Sequence, residues 1–342
     1  MTATLSSPEE CVVLAHGGGG QLTSRLLAER VLPVLANPLL NPLGDSAVLE
    51  PVRGRLVFTT DAFVVQPLEF PGGDIGRLAV CGTVNDLAVM GAIPRALSLA
   101  LIIEEGLPLA TLDRVVASIA TAAREAGVPI ATGDTKVIER RGGDGLMITT
   151  AGVGELAYGV DWSINRIAPG DRILITGGLA EHGLTIMTQR EGMGIESDLR
   201  SDAAPLIDLV TALRRTGAAI RFMRDPTRGG VAGVLNDIAE GTRLSVHVQE
   251  AALPLTPVVR HTAELLGLDP LTVANEGKCV VVVAASDAQR VLQACQAHPL
   301  GRSAALIGEV VDASPPLVEL QTAVGGARIV QRPYGEELPR IC

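Results

Sequence analysis

Apolar residues in the first half of the chain predict helices and strands in turn. The clearest set is spaced by three and four residues, as in an amphipathic helix. It comprises Leu112, Val115, Val116, Ile119, Ala123 and Ala126. Gly127 and Pro129 follow this set and predict the end of the helix. Similar patterns predict helices at 22–31 and 75–90, and strands at 56–65, 96–103 and 147–153.

The second half continues this mixture after a change in composition. Residues 157–170 hold the single tryptophan and end in Pro-Gly, so we place a domain boundary near residue 160. Beyond it, the pattern predicts strands at 172–176 and 279–285, and helices at 184–190, 205–216, 231–240 and 287–297. The expected organisation is a domain at 1–160, a domain at 161–330 and a tail at 331–342. Because neither half has a strict strand–helix–strand rhythm, an α+β fold fits best.

Composition narrows the class of protein. The chain of 342 residues is 47% hydrophobic but only 2% aromatic, so aliphatic side chains must build the core. Its formal net charge of −10 argues against a nucleic-acid-binding protein. No apolar run approaches the roughly 18 residues of a membrane span, and the first residues lack the pattern of a secretory signal. We therefore expect a cytoplasmic protein that does not cross a membrane.

The five cysteines are too widely spaced to predict a zinc site or a disulfide framework. Cys81, Cys279 and Cys295 have apolar neighbours and are predicted to be core residues. Cys342 differs, because it is the last residue of the sequence and follows a stretch that prolines and a glycine keep extended. We interpret it as a reactive thiol that moves between partners; the alternative is a dispensable tail residue.

Aspartates in otherwise apolar segments are the most informative feature. A buried carboxylate is costly unless it is paired or bound to a cation. The five residues are Asp45, Asp61, Asp86, Asp134 and Asp225. Taken singly, each is more typical of a turn or a helix cap. As a set, they favour a site at which magnesium bridges carboxylates and nucleotide phosphates.

Other polar residues could act at the same phosphate. Lys136 and Arg228 are suited to contact a phosphoryl group in transfer, although each could instead pair with its neighbouring aspartate. Glu276 precedes a predicted strand and is either a general base or a solvated turn residue. The role of His182, in a glycine-rich turn, stays open. No P-loop sequence is present, and the four glycines at 17–20 predict a loop that can close over a nucleotide.

Several of these motifs together resemble a known superfamily. The matching segments are 44–48 (GDSAV), 60–61 (TD), 84–92 (VNDLAVMGA), 133–136 (GDTK) and 225–230 (DPTRGG). They are similar to the aminoimidazole ribonucleotide synthetase-like, or PurM-like, ATP-binding proteins. The ending PRIC at 339–342, with the HGG run at 16–18, narrows the resemblance to the carbamoyl dehydratases of nickel–iron hydrogenase maturation. The resemblance covers essentially the whole chain.

The resemblance implies a fold and a reaction. The fold is a two-domain α+β arrangement of PurM-like type, with a mixed-sheet N-terminal ATP-binding domain, an α/β C-terminal domain and a flexible C-terminal tail. A homodimer would form through the N-terminal domains. Cys342 would receive a carbamoyl group from a HypF-type carbamoyltransferase, ATP would phosphorylate the carboxamide oxygen, and loss of phosphate would leave a thiocyanate. The cyano group would then pass to iron held by a HypC–HypD complex.

The resemblance also implies roles for individual residues. The magnesium ligands would be Asp45, Asp61, Asp86 and Asp225. The nucleotide would also be bound by Asn85, Asp134, Thr135, Gly18 and Gly19. The catalytic residues would be Cys342, Lys136, Arg228 and Glu276, of which Glu276 would remove a proton from nitrogen. Ser46 stands where a second aspartate often follows the first, so one metal ligand of the superfamily pattern is missing.

Two other functions are compatible with parts of the sequence. A small-molecule kinase of the same superfamily, such as thiamine monophosphate kinase, would not need Cys342. A non-enzymatic scaffold could present Cys342 to partners, but the intact acidic motifs, Lys136 and Glu276 argue against it. Selenophosphate synthetase would need a lysine close behind an N-terminal cysteine, and Cys11 is followed by Val-Val-Leu-Ala-His.

Overall fold

The computed structural model of the chain describes residues 10–44, 46–140, 144–190, 198–333 and 340–341. In this part, each half of the sequence builds one large sheet with helices packed against it. Two residues of the predicted site, Asp45 and Cys342, lie outside the described residues, as do residues 334–339 of the predicted tail. None of the described helices has the length and apolar character needed to cross a membrane.

The first half forms a sheet covered by helices on one face. Its elements are α1 (Gln21–Leu26), α2 (Leu32–Leu35), β1 (Leu56–Phe63), β2 (Glu69–Phe70), β3 (Gly73–Asp74), α3 (Ile75–Val89), β4 (Ala92–Glu104), α4 (Leu109–Glu125), β5 (Ile130–Ile138) and β6 (Leu146–Leu156). A π-helical turn joins α1 to α2. The sheet order is β1-β6-β4-β5, with β5 parallel to β4 and the other neighbours antiparallel. Helix α3 packs on β1, β4 and β6, and α4 packs on α3.

The second half forms a larger mixed sheet. Its elements are β7 (Arg172–Ile175), α5 (Glu181–Gln189), α6 (Ile207–Arg215), β8 (Ile220–Arg224), α7 (Gly230–Thr242), β9 (Ser245–Gln249), α8 (Pro257–Leu266), β10 (Val280–Val283), α9 (Ala288–Gln296), β11 (Ala305–Val311), β12 (Val318–Gln321) and β13 (Ala327–Ile329). The order is β13-β12-β9-β11-β7-β10-β8. Strand β12 is parallel to β9, and the other paired strands are antiparallel.

Strand β10 shows why its sequence is apolar at every position. Val280 and Val282 pack into the core on the side of α7 and α8, while Val281 and Val283 pack into the core on the side of α6 and α9. All four valines are fully buried. A strand covered on both faces reads as a continuous apolar run, whereas a half-exposed strand alternates.

The structure confirms the fold class and the long predicted elements. Helix α3 coincides with the prediction at 75–90, and α4 with the helix whose end was predicted from Gly127 and Pro129. Cys81, Cys279 and Cys295 are fully buried, as predicted. The sequence did not predict β5, because its middle is the polar stretch Gly-Asp-Thr-Lys, which strands disfavour. Its hydrogen bonds to β4 hold this stretch extended.

The described residues of the predicted tail are bound to the protein at two places. Near its start, Val330 is buried and its carbonyl oxygen accepts a hydrogen bond of 3.1 Å from the Asn236 amide. The Arg332 guanidinium pairs with Asp237 and, at 3.3 Å, with Glu240, both on α7. At its end, Ile341 is buried in a core cluster that both halves of the chain contribute to. The prediction of a mobile tail concerns mainly residues outside the described part.

A candidate active site between the two halves

Two predicted carboxylates of the first half face each other between the sheet and α3. Asp61 lies on β1 and accepts a hydrogen bond of 2.9 Å from the Thr83 hydroxyl. Asp86 lies on α3 and accepts one of 2.6 Å from the Thr59 hydroxyl. Burial raises the pKa of Asp61, and the charge of Asp86 raises it further. The two side chains are therefore close enough to repel each other.

The second half adds two acids to the same place. Asp225 directly follows β8 and is half-buried. Burial and the charges of Asp86 and Asp61 raise the pKa of Asp225 to about 7. Glu276 is buried, and burial raises its pKa well above the usual value, with further increases from the charges of Asp202, Asp225 and Asp61. The structure thus gathers carboxylates from distant parts of the sequence at one cleft.

Arg228, unlike Lys136, is a predicted cationic residue that lies close enough to these acids to change their pKa values. Its charge lowers the pKa of both Asp61 and Glu276, although the repulsion and burial described above outweigh it. Gly229 and Gly230 follow with positive φ angles of 79° and 58°, where helix α7 begins. A Cβ on Gly230 would clash with the carbonyl oxygen of Leu271, so this helix start requires glycine.

Two side chains hold the backbone around Glu276. The sequence predicted another role for one of them, Asn85, and did not predict the other, Asp202. Asp202 accepts hydrogen bonds from the backbone amides of Glu276 (3.1 Å) and Gly277 (3.2 Å). Asn85 donates to the carbonyl oxygen of Glu276 at 3.0 Å and also binds Ala204 and Leu206. The sequence predicted that Asn85 binds the cofactor. Its buried amide instead ties α3 to the loops of the second half.

Glu276 itself presents an unused oxygen. Its Oε1 is buried and has no hydrogen-bond partner among the described residues. Leaving a buried polar atom without a partner costs about 1–3 kcal/mol, and a catalytic role or a bound ion, water or ligand is what typically explains one. The carboxyl group is therefore available to accept a proton or a hydrogen bond from a molecule in the cleft.

The cleft suits a cation bound together with an anion. In the part of the chain that is described, no three His, Cys, Asp or Glu side chains converge closely enough to hold a metal ion alone. Asp45, a fourth predicted ligand, lies outside that part. Magnesium binds proteins through one or two carboxylates together with water and substrate phosphates, so Asp61, Asp86 and Asp225 fit this mode. A bound cation would remove the repulsion that raises the pKa values.

Asp134 and Lys136 lie elsewhere in the same chain, whereas Thr135, between them on β5, shares the face of Asp61. Across the sheet, Asp61 is opposite Thr150, which is opposite Leu99, which is opposite Gly133. Opposed residues share a face and neighbours along a strand alternate, so Asp134 and Lys136 project to the face opposite Asp61. The sequence predicted one site for all of them, and the structure does not bring the two groups together within one chain.

The second group does meet the glycine-rich loop. Gly17, Gly19, Asp134, Thr135 and Lys136 line a cavity of about 310 Å³ next to α1 and α2. A Cβ on Gly17 would clash with the backbone nitrogen of Val137, so this close approach requires glycine. Gly18 is not among the lining residues. The prediction that the glycine loop and the GDTK segment act together is therefore compatible with the geometry.

Removing the charge of Asp225 should stabilise the protein at neutral pH. The unfolded carboxyl titrates near pH 4 and the folded one near 7, so stability falls as pH rises between these values. We expect Asp225→Asn to raise the free energy of unfolding by about 2–4 kcal/mol above pH 7 and by little below pH 4, since a shift of one pKa unit is worth about 1.4 kcal/mol. Thermal unfolding from pH 4 to 8 measures this. The exposed Asp312→Asn is the control, and an equal gain at every pH would contradict the interpretation.

Comparisons with known proteins cover nearly the whole chain. The family AIR synthase related protein, N-terminal domain, matches residues 43–156, and the corresponding C-terminal domain matches 168–318. The chain is 48% identical to carbamoyl dehydratase HypE of Azotobacter vinelandii over 331 residues, 97% of each chain. It resembles a crystal structure of the hydrogenase maturation protein HypE in complex with ATP, with a TM-score of 0.92, 44% identity, and coverage of 96% and 99%. A HypE–HypF complex structure matches with a TM-score of 0.79, 43% identity, and coverage of 92% and 100%.

Proposed function

The chain belongs to the HypE family of carbamoyl dehydratases, and from that premise we propose that it converts a carbamoyl group on the Cys342 thiol into a thiocyanate, using ATP, for hydrogenase maturation. The relatives confirm the resemblance inferred from the sequence motifs. The observation that carries the assignment of the site is Glu276, a buried carboxyl with an unused oxygen beside three other acids.

The proposed reaction balances without a redox partner. The carboxamide on sulfur loses its oxygen to phosphate and both N–H protons, and a carbon–nitrogen triple bond forms; ATP becomes ADP and phosphate. When bound, magnesium and ATP supply charge neutralisation and the phosphoryl group that makes the oxygen a leaving group. Asp61, Asp86 and Asp225 would hold the metal. Glu276, whose raised pKa makes it a stronger base than an ordinary carboxylate, would take a proton from nitrogen.

A homodimer would complete the site. One face of the first sheet carries α3, while Leu56 and Phe58 on its edge strand β1 are 63% and 68% exposed. Large exposed apolar side chains on a sheet face are typical of a protein interface. Because Lys136 and Asp61 lie on opposite faces of the sheet in one chain, we propose that Lys136 of the partner subunit, and not that of the same chain, serves the acidic cleft. Its ammonium group would then stabilise the phosphoryl group in transfer.

We also propose two protein partners and a compartment. A HypF-type carbamoyltransferase would donate the carbamoyl group, and a relative is seen in complex with HypF. A HypC–HypD complex would accept the cyano group on its iron. The reaction would take place in the cytoplasm, where thiols stay reduced. The relatives favour this function over a small-molecule kinase, which would have no use for Cys342, and over a scaffold, which would not need Glu276 in the cleft.

Mass spectrometry of the intact protein tests the proposal. The protein is incubated with a HypF-type carbamoyl donor system and MgATP. We expect first the mass of an added carbamoyl group, then the mass at which CN replaces the thiol hydrogen, located on the C-terminal peptide. Burial raises the pKa of Cys81 and Cys295 to about 12, so these thiols should stay unmodified. ATP turnover without any adduct would contradict the proposal and favour the kinase.

A further inference from the structure

Ile341, the last described residue of the chain, occupies a buried site that the mechanism above does not use. Ile341 is 3% exposed and belongs to the core cluster that also contains Ile186, Ala203 and Ala274. The residues that hydrogen-bond Arg340 and Ile341 are Gln66, His182 and Arg190. We call these three residues, with Ser201, the tail clasp.

His182 is the centre of the tail clasp. It is fully buried on α5, and its ring meets Phe70 edge to face at a centroid distance of 5.6 Å. Its Nε2 lies 2.9 Å from the carbonyl oxygen of Ile341, and its Nδ1 lies 2.8 Å from the Ser201 hydroxyl. A carbonyl oxygen only accepts, so Nε2 must carry the proton that it donates.

The rest of the network fixes the state of this ring. Burial lowers the pKa of His182, which favours the neutral ring; in that form, with the proton on Nε2, Nδ1 accepts a hydrogen bond from the Ser201 hydroxyl. The Ser201 oxygen in turn accepts from the backbone amide of Ala203 at 3.2 Å. The hydrogen bonds therefore run in one direction, from Ala203 through Ser201 and His182 to the carbonyl of Ile341.

Arg340 is held from two other sides. Its carbonyl oxygen accepts hydrogen bonds from the backbone amide of Gln66 and from the Arg190 guanidinium, both at 3.2 Å. Its own guanidinium lies 3.0 Å from an Asp144 oxygen. Two successive carbonyl groups of the tail, those of Arg340 and Ile341, are thus bound by the protein. The Ile341 side chain fills a core position.

The tail clasp is rigidly joined to the loop that carries Glu276. Ser201 precedes Asp202, the residue that binds the amides of Glu276 and Gly277. On helix α5, the Gly183 amide donates to the carbonyl of Ala274 at 3.1 Å, and the Ala180 amide donates to the Asn275 side chain at 2.8 Å. A Cβ on Gly183 would collide with Val273 at 2.5 Å. The backbone on both sides of His182 is therefore in direct contact with the loop of Glu276.

We propose that His182 is a positioning residue for the reaction: by binding the carbonyl of Ile341 it fixes the chain next to Cys342 in register with Glu276. This inference rests on the proposed function. His182 need not touch the reacting carboxamide. It removes rotational freedom from the segment that carries the thiol, which raises the effective concentration of the carbamoyl group at the base.

Single-turnover dehydration of protein carbamoylated beforehand tests this role. We expect His182→Ala to slow cyano formation about 10–100-fold, because a misplacement of about 1 Å can cost that much, while affinity for MgATP stays unchanged. His182→Gln should recover most of the rate, since the Gln amide can donate to the Ile341 carbonyl from the position of Nε2. The exposed His261→Ala is the matched control and should behave as the wild type.

A second variant avoids altering the body of the protein. Ile341→Gly removes the side chain that fills the core position and should slow dehydration to a similar extent, whereas Ile341→Val should not. Hydrogen exchange of the C-terminal peptide should accelerate in His182→Ala and Ile341→Gly alone. One variant alters the tail clasp and the other alters the tail that it binds, so exchange reports docking whether or not the protein is active.

The possible outcomes distinguish the positioning role of His182 from the proposed dehydratase function. An active wild type whose His182→Ala variant dehydrates at the same rate would overturn the positioning role. Equal losses in dehydration and in MgATP affinity would also overturn it, because they indicate general damage to the fold. An inactive wild type with exchange that still depends on His182 would contradict the proposed function but support a clasp that holds the tail.

Discussion

Replacing Cys342 by serine should abolish the cyano product altogether. The thiolate is the nucleophile that a carbamoyl donor needs, and a serine hydroxyl has no comparable ionised fraction at neutral pH. A serine adds no bulk, so the fold and the affinity for MgATP should stay as in the wild type. Intact mass after incubation with the carbamoyl donor system and MgATP measures the effect directly.

The matched variant for this experiment is Cys11→Ser. Cys11 is partly exposed and far along the sequence from the tail, so its replacement should leave the cyano product at the wild-type level. A cyano adduct that forms on Cys342→Ser protein, or one that disappears in Cys11→Ser protein, would move the reaction to another thiol. Either result would contradict the assignment of Cys342.

Glu276→Gln should lower the rate of dehydration by about 10²–10⁴-fold, the usual contribution of a general base. Glutamine keeps the shape of the side chain, and the hydrogen bonds from Asn85 and to Asp202 use backbone atoms that the substitution retains. Burial raises the pKa of Glu276 in the folded protein. The free energy of unfolding of the wild type therefore falls as the pH rises above the pKa of an ordinary carboxyl group. The variant should therefore be less active and, at pH 7–8, more stable.

Two measurements check this combination. Single-turnover dehydration of carbamoylated protein gives the rate, and thermal unfolding from pH 4 to 8 gives the stability. Glu264→Gln, on the exposed surface of α8, is the control and should change neither. Full activity in Glu276→Gln would exclude this residue as the base. A loss of activity accompanied by a lower melting temperature would assign it a structural role instead.

The sequence predicted the acids of the cleft because their chemistry conflicts with their surroundings. Asp61 and Asp225 stand in segments that are otherwise apolar, and the structure confirms that both are in surroundings that raise their pKa. Such a conflict is visible without coordinates, because burial of a charge needs a compensating partner. Glu276 was predicted on weaker grounds, and its buried, unused oxygen is what distinguishes it from a turn residue.

The sequence could not show that Lys136 and Asp61 lie on opposite faces. That fact depends on the register of β5 against β4 and of β6 against β1. A shift of one residue in register exchanges the two faces of a strand, and no local pattern in the GDTK segment fixes it. The separation became apparent only from the pairing of strands distant in sequence.

The sequence could not predict the tail clasp, for a related reason. His182 and Ile341 are 159 positions apart, and Ser201 lies in a stretch without periodicity. A buried histidine in a glycine-rich turn has several ordinary explanations, so its type and neighbours alone do not indicate a partner. The proton is assigned to Nε2 by the contact with the Ile341 carbonyl, which the sequence does not show.

The attachment of the tail at Arg332 sets a limit on how far the thiol can travel. If the tail clasp opens while Arg332 stays paired with Asp237 and Glu240, only residues 333–342 are free to extend. Ten residues span at most about 36 Å when fully stretched. Under the proposed function, a carbamoyl donor and an iron-bearing acceptor would then both have to present their reactive centres within this radius of α7. Two large proteins compete for such a small volume, so we expect donor and acceptor to visit one after the other, with the short tether imposing the order of transfer.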